Sequence, residues 1–426
     1  MAQRYDTYKD SGVQWLGEIP GHWNCVRIKA LFLNIREKNN PIQTEERLSL
    51  SIDKGVTLYS EKTTNLDRFK EDCSQYLLAH EDDIVLNSMN MIVGAVGKSK
   101  YFGCVSPAYY VIRLRDTSNY IDYYSQLLNI QKIRDVYRIM GKGIMAIDRG
   151  DGKVNTCRLK VPYDSFGSIK IPLPPLSEQH SIVSFLDDKC GKIDKMLEGK
   201  QKQIELLAEM KQRIIADAVT HGLNPDVKMK ATNIPWLPEI PEHWEMKRSK
   251  YLLKLLTEST KRTRKIGLEN IESNSGKYIL TESIFDGDGV DFDRGDILYG
   301  KLRPYLNKVW LAEFDGNAVG DFYVYRAKNG YLNSFAKYLL MSSCFVGISN
   351  ASTYGAKMPR VSSQFIHSLH FPVPPLSEQR AIVSYLDDKT TKIDTLTSKL
   401  QQEIESIKEY KQRLISDVVT GQIKVC

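Results

Sequence analysis

The sequence predicts an α+β protein in which two globular segments of mixed helix and strand are joined by two long helices that pair as an antiparallel coiled coil. The stretch at 171–220 returns at 371–420 with about 28 of 50 positions identical. Each copy carries apolar residues at alternating steps of three and four, which is a heptad pattern. Short alternating runs before each copy are typical of strands. Together these observations indicate an internal pseudo-twofold repeat.

Each copy of the repeat has the signals of one continuous helix. Pro174 and Pro175 come first, Ser177 is the predicted N-cap, and Glu178 lies in the first turn, where the helix dipole favours a carboxylate. Gly222 and Gly421 lie where each helix is expected to end, so we expect about 43 residues and about 65 Å per helix. Each copy could instead be an ordinary core helix. Two matching apolar heptad stripes in one chain favour pairing of the two helices with each other. The seam comprises Leu186, Ile193, Leu197, Ile204, Leu207 and Ile214, with Leu386, Ile393, Leu400, Ile404, Ile407 and Leu414 in the second copy.

A second, shorter repeat precedes each globular segment. Lys9–Trp23 reads KDSGVQWLGEIPGHW, and Asn233–Trp244 reads NIPWLPEIPEHW. Two tryptophans and a proline can pin a loop onto a core, so we favour a structural clasp over a ligand site. The predicted organisation is a clasp at 1–23, globular segment 1 at 24–170, a long helix at 171–222, a linker with the second clasp at 223–244, globular segment 2 at 245–370 and a long helix at 371–426.

The two globular segments resemble each other poorly in sequence. Segment 1 has strand-like runs at Arg47–Ile52, Asp83–Leu86 and Ala108–Leu114 and one predicted helix at Ile121–Met140. Segment 2 has strand-like runs at Asp296–Leu298, Lys308–Ala312 and Asp321–Tyr325 and a helix near Leu332–Met341. Their clearest common feature is DDIV at Asp82–Val85 against GDIL at Gly295–Leu298. We therefore expect a duplicated scaffold that holds two different globular parts.

Charge and cysteine usage narrow the class of protein. The 426 residues carry a net charge of +7, and each 50-residue repeat carries −1, so the rest of the chain carries +9. That excess favours a polyanionic partner. Seven scattered cysteines without a CxxC pair indicate reduced thiols, and no apolar run approaches the ~20 residues of a membrane span. We expect a cytoplasmic protein with no membrane contact.

The sequence contains no convincing catalytic, cofactor or metal site. GAVGKS at Gly94–Ser99 has two residues between its glycines, where a phosphate-binding P-loop needs four. His367 and His370 form an HxxH without a third ligand, and no glycine-rich loop joins a predicted strand to a helix. We therefore predict no catalytic residue and no cofactor in this chain.

Both globular segments carry residues suited to DNA. Arg and Lys neutralise phosphates, Arg can bridge guanine O6 and N7, and Asn can do the same for adenine. A basic run from Lys142 to Lys160 adds to the charge of segment 1. A solvated charged face would explain any one of these residues, but the +9 balance favours DNA. The candidate contacts are Lys301, Arg303, Tyr305, Lys357, Arg360, Arg262 and Arg264 in segment 2, and Asn87, Asn90, Lys98, Tyr109 and Tyr110 in segment 1.

These motifs resemble those of the DNA-specificity subunits of Type I restriction–modification systems. The similarity lies in WLGEIPGHW and WLPEIPEHW, SPAYYVIR at Ser106–Arg113, GLENIES at Gly267–Ser273, GDILYGKLRPYL at Gly295–Leu306, KMPRV at Lys357–Val361 and both PPLSEQ helices. It covers nearly the whole chain in the family's order. Segment 1 has NSMN and SPAYY where segment 2 has GKLRPY and KMPRV, so it looks like a different subtype of target domain.

The resemblance implies a division of labour. In that family, each globular segment reads one half of a split DNA site, and the helices hold the segments apart. Two modification subunits supply S-adenosylmethionine and methylate adenine N6, and restriction subunits can join and cleave DNA with ATP and Mg²⁺. The specificity subunit performs no chemistry. Because the two segments differ, we expect the two half-sites to differ.

Two other hypotheses stay open from the sequence. One is a self-contained methyltransferase or nuclease, which binding of S-adenosylmethionine by the purified chain would favour and the absent cofactor loop disfavours. The other is a coiled-coil scaffold without DNA recognition. DNA binding that is absent or independent of salt would favour the scaffold, because phosphate contacts must weaken as salt rises.

Overall fold

The computed structural model describes residues 4–52, 54–61, 72–144, 158–259, 262–328, 330–355 and 357–425. The chain forms two compact units. Unit 1 comprises 1–199 and 403–426, and unit 2 comprises 200–402. Each unit therefore contains one clasp, one globular segment and parts of both long helices.

Unit 1 begins with the first clasp and globular segment 1. Its strands are β1 (Tyr8–Asp10), β2 (Glu18–Pro20), β3 (Asn24–Arg27), β4 (Phe32–Ile35), β5 (Leu48–Ser51), β6 (Gly55–Leu58), β7 (Leu77–Ala79), β8 (Ile84–Asn87), β9 (Val96–Lys98), β10 (Gly103–Val105), β11 (Tyr109–Leu114), β12 (Lys142–Ile144), β13 (Arg158–Lys160) and β14 (Lys170–Leu173). Its helices are α1 (Ile28–Leu31), α2 (Ile121–Leu127), α3 (Gln131–Met140) and α4 (Tyr163–Ser168), and α5 (Leu176–His221) starts in this unit.

Unit 2 repeats this order with the second clasp and globular segment 2. Its strands are β15 (Met229–Ile234), β16 (Leu237–Pro241), β17 (Glu245–Arg248), β18 (Leu253–Leu256), β19 (Lys265–Ile266), β20 (Gly289–Phe292), β21 (Ile297–Gly300), β22 (Val309–Leu311), β23 (Gly316–Val319), β24 (Phe322–Ala327) and β25 (His370–Val373). Its helices are α6 (Ser249–Leu252), α7 (Asn333–Met341), α8 (Ser343–Ala351) and α9 (Ser363–Ser368), and α10 (Leu376–Val419) starts in this unit.

The two long helices pack together antiparallel, as the repeat predicted. In unit 1, Leu186 near the start of α5 lies in one buried core with Leu414 and Val418 near the end of α10. In unit 2, Ile215 near the end of α5 lies in one core with Leu386 near the start of α10. The twelve predicted seam residues are all buried or half-buried, while most residues between them are exposed. The heptad pattern therefore identified the packed face.

The helix ends follow the sequence signals with one correction. Gly222 and Gly421 have φ angles of 78° and 76°, the left-handed conformation in which glycine ends helices. Ser177 is not an N-cap, because α5 already begins at Leu176. Gln179 instead ties down the entry of the chain, since its Nε2 donates to the Pro174 carbonyl oxygen at 2.9 Å. Gln379 makes the same bond to Pro374.

Two further predictions about local structure need correction. The predicted helix at Ile121–Met140 is two helices, α2 and α3, which are separated at Leu128–Ile130. Leu128 and Ile130 are buried there, so the chain bends to place both apolar residues in the core. In segment 2, the predicted helix near Leu332–Met341 is confirmed as α7, but α8 follows it directly and was missed.

The expectation that the globular segments differ is wrong for their central sheets. Segment 1 contains an antiparallel sheet of order β4-β11-β8-β9, and segment 2 contains one of order β18-β24-β21-β22. The DDIV and GDIL motifs begin equivalent strands, β8 and β21, and their first residues, Asp82 and Gly295, both have positive φ. The same sheet therefore underlies two dissimilar sequences.

Candidate nucleic-acid interface

Two exposed loops of globular segment 2 meet at one end of its sheet and bring together five of the predicted contacts. We define loop surface 2 as Lys301, Arg303, Tyr305, Tyr354, Lys357 and Arg360. The Arg303 backbone N–H donates to the Pro359 carbonyl oxygen at 2.7 Å, and Val361 N–H donates to Lys301 oxygen at 3.1 Å. Residues 60 positions apart in sequence are thereby held in one surface.

The charge on loop surface 2 is only partly neutralised. Arg360 donates from Nε and Nη2 to the two carboxylate oxygens of Asp321, each at 3.1 Å, and this pairing raises the pKa of Arg360. Lys301 Nζ lies 3.9 Å from Asp321 and 5.3 Å from the Tyr323 ring centroid. In the part of the chain that the structure describes, Arg303 and Lys357 have no carboxylate partner. These two cations remain available to an anionic ligand.

Aromatic rings and strained backbone complete loop surface 2. Tyr305 and Tyr354 are 50% and 61% exposed, so both rings are accessible to a ligand. Arg303 has a φ of 50°, a left-handed conformation that a non-glycine residue adopts only when its surroundings impose it. Cations beside exposed rings are suited to phosphates and bases.

Globular segment 1 has a turn in the equivalent place, but its side chains are neutral. Val161 N–H donates to Ser88 oxygen at 3.0 Å, as Val361 N–H does to Lys301 oxygen. The Tyr110 hydroxyl donates to Val161 oxygen at 2.8 Å, and Tyr323 does the same to Val361 oxygen at 3.2 Å. Ser88 therefore occupies the position of Lys301, and the exposed side chains of this turn are Met89 and Asn90.

Within this turn, Asn87 and Tyr110 have structural roles. Asn87 is buried, and its Oδ1 accepts the Met89 N–H at 3.1 Å. Tyr109 is the cross-strand partner of Asn87, and burial raises the pKa of the Tyr109 hydroxyl. The Tyr110 ring packs 5.3 Å from the Tyr163 ring. Of the five predicted contacts in segment 1, Asn90 and Tyr109 are the best placed to reach a ligand.

Segment 1 carries its cations in a groove beside this turn. The groove has a volume of about 840 Å³ and is lined by Arg36, Lys38, Lys142, Lys160, Tyr109 and Tyr163, with Asp164 at its edge. Among the described residues, none of these four cations has a carboxylate partner, and Lys38 bonds only the Gln75 amide, at 3.3 Å. The list of candidate contacts predicted from the sequence missed all four cations. Lys142 and Lys160 are the first and last residues of the predicted basic run, of which 145–157 lies outside the described residues.

Three predicted contacts lie outside both surfaces. Lys98 Nζ lies 2.7 Å from Asp122 and 3.1 Å from Asp82, at the opposite end of β9 from the turn. Arg262 Nη2 bonds Asp293 at 2.7 Å. The Arg264 guanidinium stacks 3.1 Å above the Phe314 ring centroid. Each has an intramolecular partner that satisfies its charge or covers its face.

The Gly94–Ser99 motif is part of a sheet. Val96–Lys98 forms β9, and a Cβ on Gly97 would lie 3.0 Å from the Gly55 Cα. Gly97 therefore permits close strand packing, and a phosphate cradle would need a loop opening onto a helix. In the described ranges, no group of His, Cys, Asp and Glu could hold a metal ion. No described helix is long and apolar enough to cross a membrane.

Both clasps bind the first turn of a long helix through the same acidic position. Trp23 Nε1 donates to Glu178 at 3.0 Å, and His22 Nε2 lies 2.5 Å from the same carboxylate. Trp244 and His243 contact Glu378 at 2.9 and 2.8 Å. Burial opposes ionisation of Glu178, but hydrogen bonds from His22, Tyr5 and Trp23 outweigh it and lower its pKa. Trp23 and Trp244 are fully buried, so the clasps act as structural anchors.

Comparison with known proteins agrees with this architecture. The family model of the Type I restriction modification DNA specificity domain matches residues 20–206 and 241–406. The Type I restriction enzyme MjaVIII specificity subunit of Methanocaldococcus jannaschii is 25% identical, with 96% of this chain and 94% of that protein covered. The EcoDI specificity subunit of Escherichia coli is 23% identical over 62% of this chain and 65% of that protein.

Solved structures show the same fold. One, described as the structural basis of complex assembly and conformational transition of the type I R-M system, has a TM-score of 0.67 at 14% identity and covers 94% of this chain and 98% of that one. The HsdS subunit of Thermoanaerobacter tengcongensis has a TM-score of 0.51 at 13% identity, with coverage of 95% and 98%. With two matched specificity domains and two target recognition domains, the chain belongs to the Type I restriction–modification specificity subunits.

Proposed function

We propose that each globular segment reads one half of an asymmetric, bipartite DNA site. The observation that carries this proposal is the pair of equivalent sites at the ends of two equivalent sheets, one cationic and one Asn-containing. The two sites lie at corresponding points of the repeat, so each can face one half of a split DNA site. Because their side chains differ, the two sites would prefer different bases. A split site with unlike halves follows.

The chemistry of both segments supports duplex DNA as the ligand. Arg303 and Lys357 in segment 2 and the four groove cations in segment 1 can neutralise phosphates, which supplies most of the affinity. Tyr305, Tyr354 and Asn90 are exposed beside these cations and can reach base edges or sugars. Phosphate contacts would set the register, and the adjacent polar and aromatic side chains would set the sequence.

The specificity subunit would direct chemistry that other chains perform. Its relatives are named as subunits of restriction enzymes, and the first solved structure above concerns assembly of the type I system. We propose two modification subunits as partners, which would bind S-adenosylmethionine and methylate adenine N6 once in each half-site. Restriction subunits that use ATP and Mg²⁺ would cleave DNA. This chain would contribute recognition and positioning of the duplex, on which extrusion of the target base depends.

Mapping of methylated adenines tests the proposal directly. The chain is expressed with its modification subunit in a host without adenine methylation, and modified adenines are located by single-molecule sequencing. We expect a split, asymmetric motif with one modified adenine in each half. Methylation at a continuous palindrome would contradict two independent readers. No methylation despite intact partner binding would leave a scaffold without DNA recognition.

We further propose that the long helices set the unread gap between the half-sites. Insertion of four residues at the middle of both α5 and α10 adds about 6 Å of helix, which corresponds to about two base pairs. The methylated motif should keep the sequences of both half-sites, and the unread gap between them should lengthen by about two base pairs. A matched pair of substitutions to Ala at the insertion points is the control, and an unchanged gap in the insertion variant would refute the spacer role.

A further inference from the structure

In unit 2, one carboxylate joins globular segment 2 to both long helices. Asp394 on α10 has Oδ1 2.7 Å from Lys211 Nζ on α5 and Oδ2 2.9 Å from Lys277 Nζ in globular segment 2. The Lys211 and Asp394 side chains are only 8% and 22% exposed. Burial disfavours the ionised carboxylate, but the two lysines outweigh it and lower the pKa of Asp394. We call Asp394, Lys211 and Lys277 the Asp394 network.

A second contact fixes the same helix against segment 2. The Tyr338 hydroxyl on α7 donates to Asp387 Oδ1 at 2.6 Å and lies 3.4 Å from Thr390 Oγ1, both on α10. Thr390 is buried, and the Lys337 ammonium lies 4.7 Å from the Tyr338 ring centroid. Asp387 and Thr390 of α10 therefore both contact segment 2 through Tyr338.

The turn that carries Lys277 is tied to loop surface 2. Asn274 N–H donates to the Asn307 carbonyl oxygen at 3.2 Å, and Asn307 lies in the loop that joins β21 to β22. Gly276 has a φ of 67°, and a Cβ there would lie 2.9 Å from the Val309 carbonyl oxygen, so this turn is pressed against β22. A continuous series of contacts thus runs from α10 through Lys277 to the loop of Lys301 and Arg303.

Unit 1 has the helix pair of this network without the third member. Asp194 and Lys411 occupy the positions of Asp394 and Lys211, and Lys411 Nζ lies 2.6 Å from Asp194 Oδ1. Their side chains are 50% and 26% exposed. Among the residues of unit 1 that the structure describes, no cation of segment 1 reaches Asp194. A cleft of about 820 Å³ lies there, lined by Lys411 and Asp187 on the helices and Gln126 on segment 1.

We propose that Lys277 and Asp394 are positioning residues, which hold loop surface 2 in register with the long helices so that its half-site is presented correctly to the methyltransferase. This role rests on the function proposed above. Misplacement of a reacting group by about 1 Å can lower a rate by about 100-fold, so a contact remote from the DNA can control the rate at one half-site. Segment 1 lacks this contact, so the two half-sites should respond differently.

The test compares both half-sites within one assembled complex. The complex of this chain with its modification subunits is given DNA carrying the mapped site, and single-turnover methylation is measured separately at each adenine. The half-site that loses binding in Arg303→Ala is assigned to segment 2. In Lys277→Gln, we expect the rate at that half-site to fall about 10-fold, while the rate at the other half-site changes less than about twofold. Asp394→Asn should have at least the same effect.

Three variants separate positioning from general loss of structure. Lys277→Arg keeps the charge and should restore the wild-type ratio of the two rates. Asp194→Asn removes the matched helix contact in unit 1 and should leave the ratio unchanged. Lys277 is 56% exposed at its side chain, so Lys277→Gln can fold normally. An equal fall at both half-sites, or an unchanged ratio, would overturn the positioning role.

Failure of the wider proposal gives a different result. If the wild-type complex methylates a continuous site, the two-reader function itself is contradicted. If it methylates two half-sites and Lys277→Gln keeps their ratio, only the positioning role is overturned.

Discussion

The two globular segments share a sheet and differ in where they place positive charge. Segment 2 carries Lys301 and Arg303 in the loop after β21, whereas segment 1 has Ser88 and Asn90 after β8 and collects its cations in the neighbouring groove. The strand order is the same, and each loop is closed by one valine N–H, from Val161 to Ser88 oxygen and from Val361 to Lys301 oxygen. The framework therefore tolerates a complete exchange of the loop side chains.

In each segment, an ion pair between a buried aspartate and a partly exposed arginine secures the sheet. Arg113 donates from Nε and Nη2 to Asp83 at 2.6 and 2.8 Å, and Arg326 makes the same two bonds to Asp296, both at 2.7 Å. The carboxylates are 0% and 2% exposed. Each pair joins β11 to β8 or β24 to β21 at the end of the sheet remote from the loops. The sheet is therefore secured independently of the residues that would read DNA.

Removal of the arginines should produce the largest effect. Arg113→Met and Arg326→Met each leave a buried carboxylate without its cation, which costs about 3–5 kcal/mol of unfolding free energy when a pair is fully buried. We expect about 3 kcal/mol in each segment because both arginines are partly exposed. Urea denaturation measures this, with exposed Lys132→Met as the control at about 0.5 kcal/mol or less. A large loss of unfolding free energy in only one of the two variants would show that the two Asp–Arg pairs are not equivalent.

Exchange of loop charges should have an intermediate effect. Lys301→Ser combined with Arg303→Asn gives segment 2 the side chains of segment 1 at these two positions. If both cations contact phosphates, a plot of log binding constant against log salt concentration should become less steep, with the magnitude of its negative slope smaller by about 2. Lys142→Gln with Lys160→Gln should lower it similarly from the groove of segment 1. Titration of the assembled complex with site DNA measures both.

Lys98→Gln is the control for the salt titrations. Lys98 is already paired with Asp82 and Asp122, so its removal should leave the salt slope unchanged. A fall as large as that of the groove variant would place DNA at the other end of the sheet.

The smallest expected effect is on the stability that the clasp carboxylates contribute, and it appears at acid pH. The pKa of Glu178 in the folded protein is below its ordinary value of 4.5, so its stabilising contribution is present above about pH 4.5 and is lost as pH falls through the lowered pKa. Glu178→Gln should therefore reduce the acid dependence of stability in that window. Urea denaturation from pH 3 to pH 6 measures it. An acid dependence that is unchanged would contradict the role of the carboxylate.

Glu378→Gln is the matched variant of the second clasp. Glu378 bonds His243 and Trp244, whereas Glu178 also accepts the Tyr5 hydroxyl at 2.8 Å. Glu378→Gln removes one hydrogen bond fewer than Glu178→Gln, so it should lower the unfolding free energy less at neutral pH. A larger effect at Glu378 would show that the N-terminal tyrosine does not strengthen the first clasp.

The long helices, their pairing and the internal repeat could all be predicted from the amino-acid sequence. Heptad spacing is a local, repeated signal, and Leu186, Ile193 and Leu414 each lie in the seam that it predicts. Gly222 and Gly421 marked the helix ends because glycine adopts the left-handed backbone conformation of a helix C-terminus at the least steric cost. GKLRPY and KMPRV were singled out as candidate DNA contacts, and the structure brings them together in loop surface 2, where contact with DNA stays a prediction.

The charges that remain available to a ligand, and the likeness of the two segments, became visible in the folded chain. Lys98 and Arg262 look equivalent to Lys142 and Arg303 in sequence, but the fold gives the first two carboxylate partners. Pairing of a charge depends on strands and loops that are distant along the chain, and no local pattern encodes it. The shared sheet was hidden for a related reason: many apolar sequences satisfy the same strand order, so long as the buried volume and the Asp–Arg pair are kept.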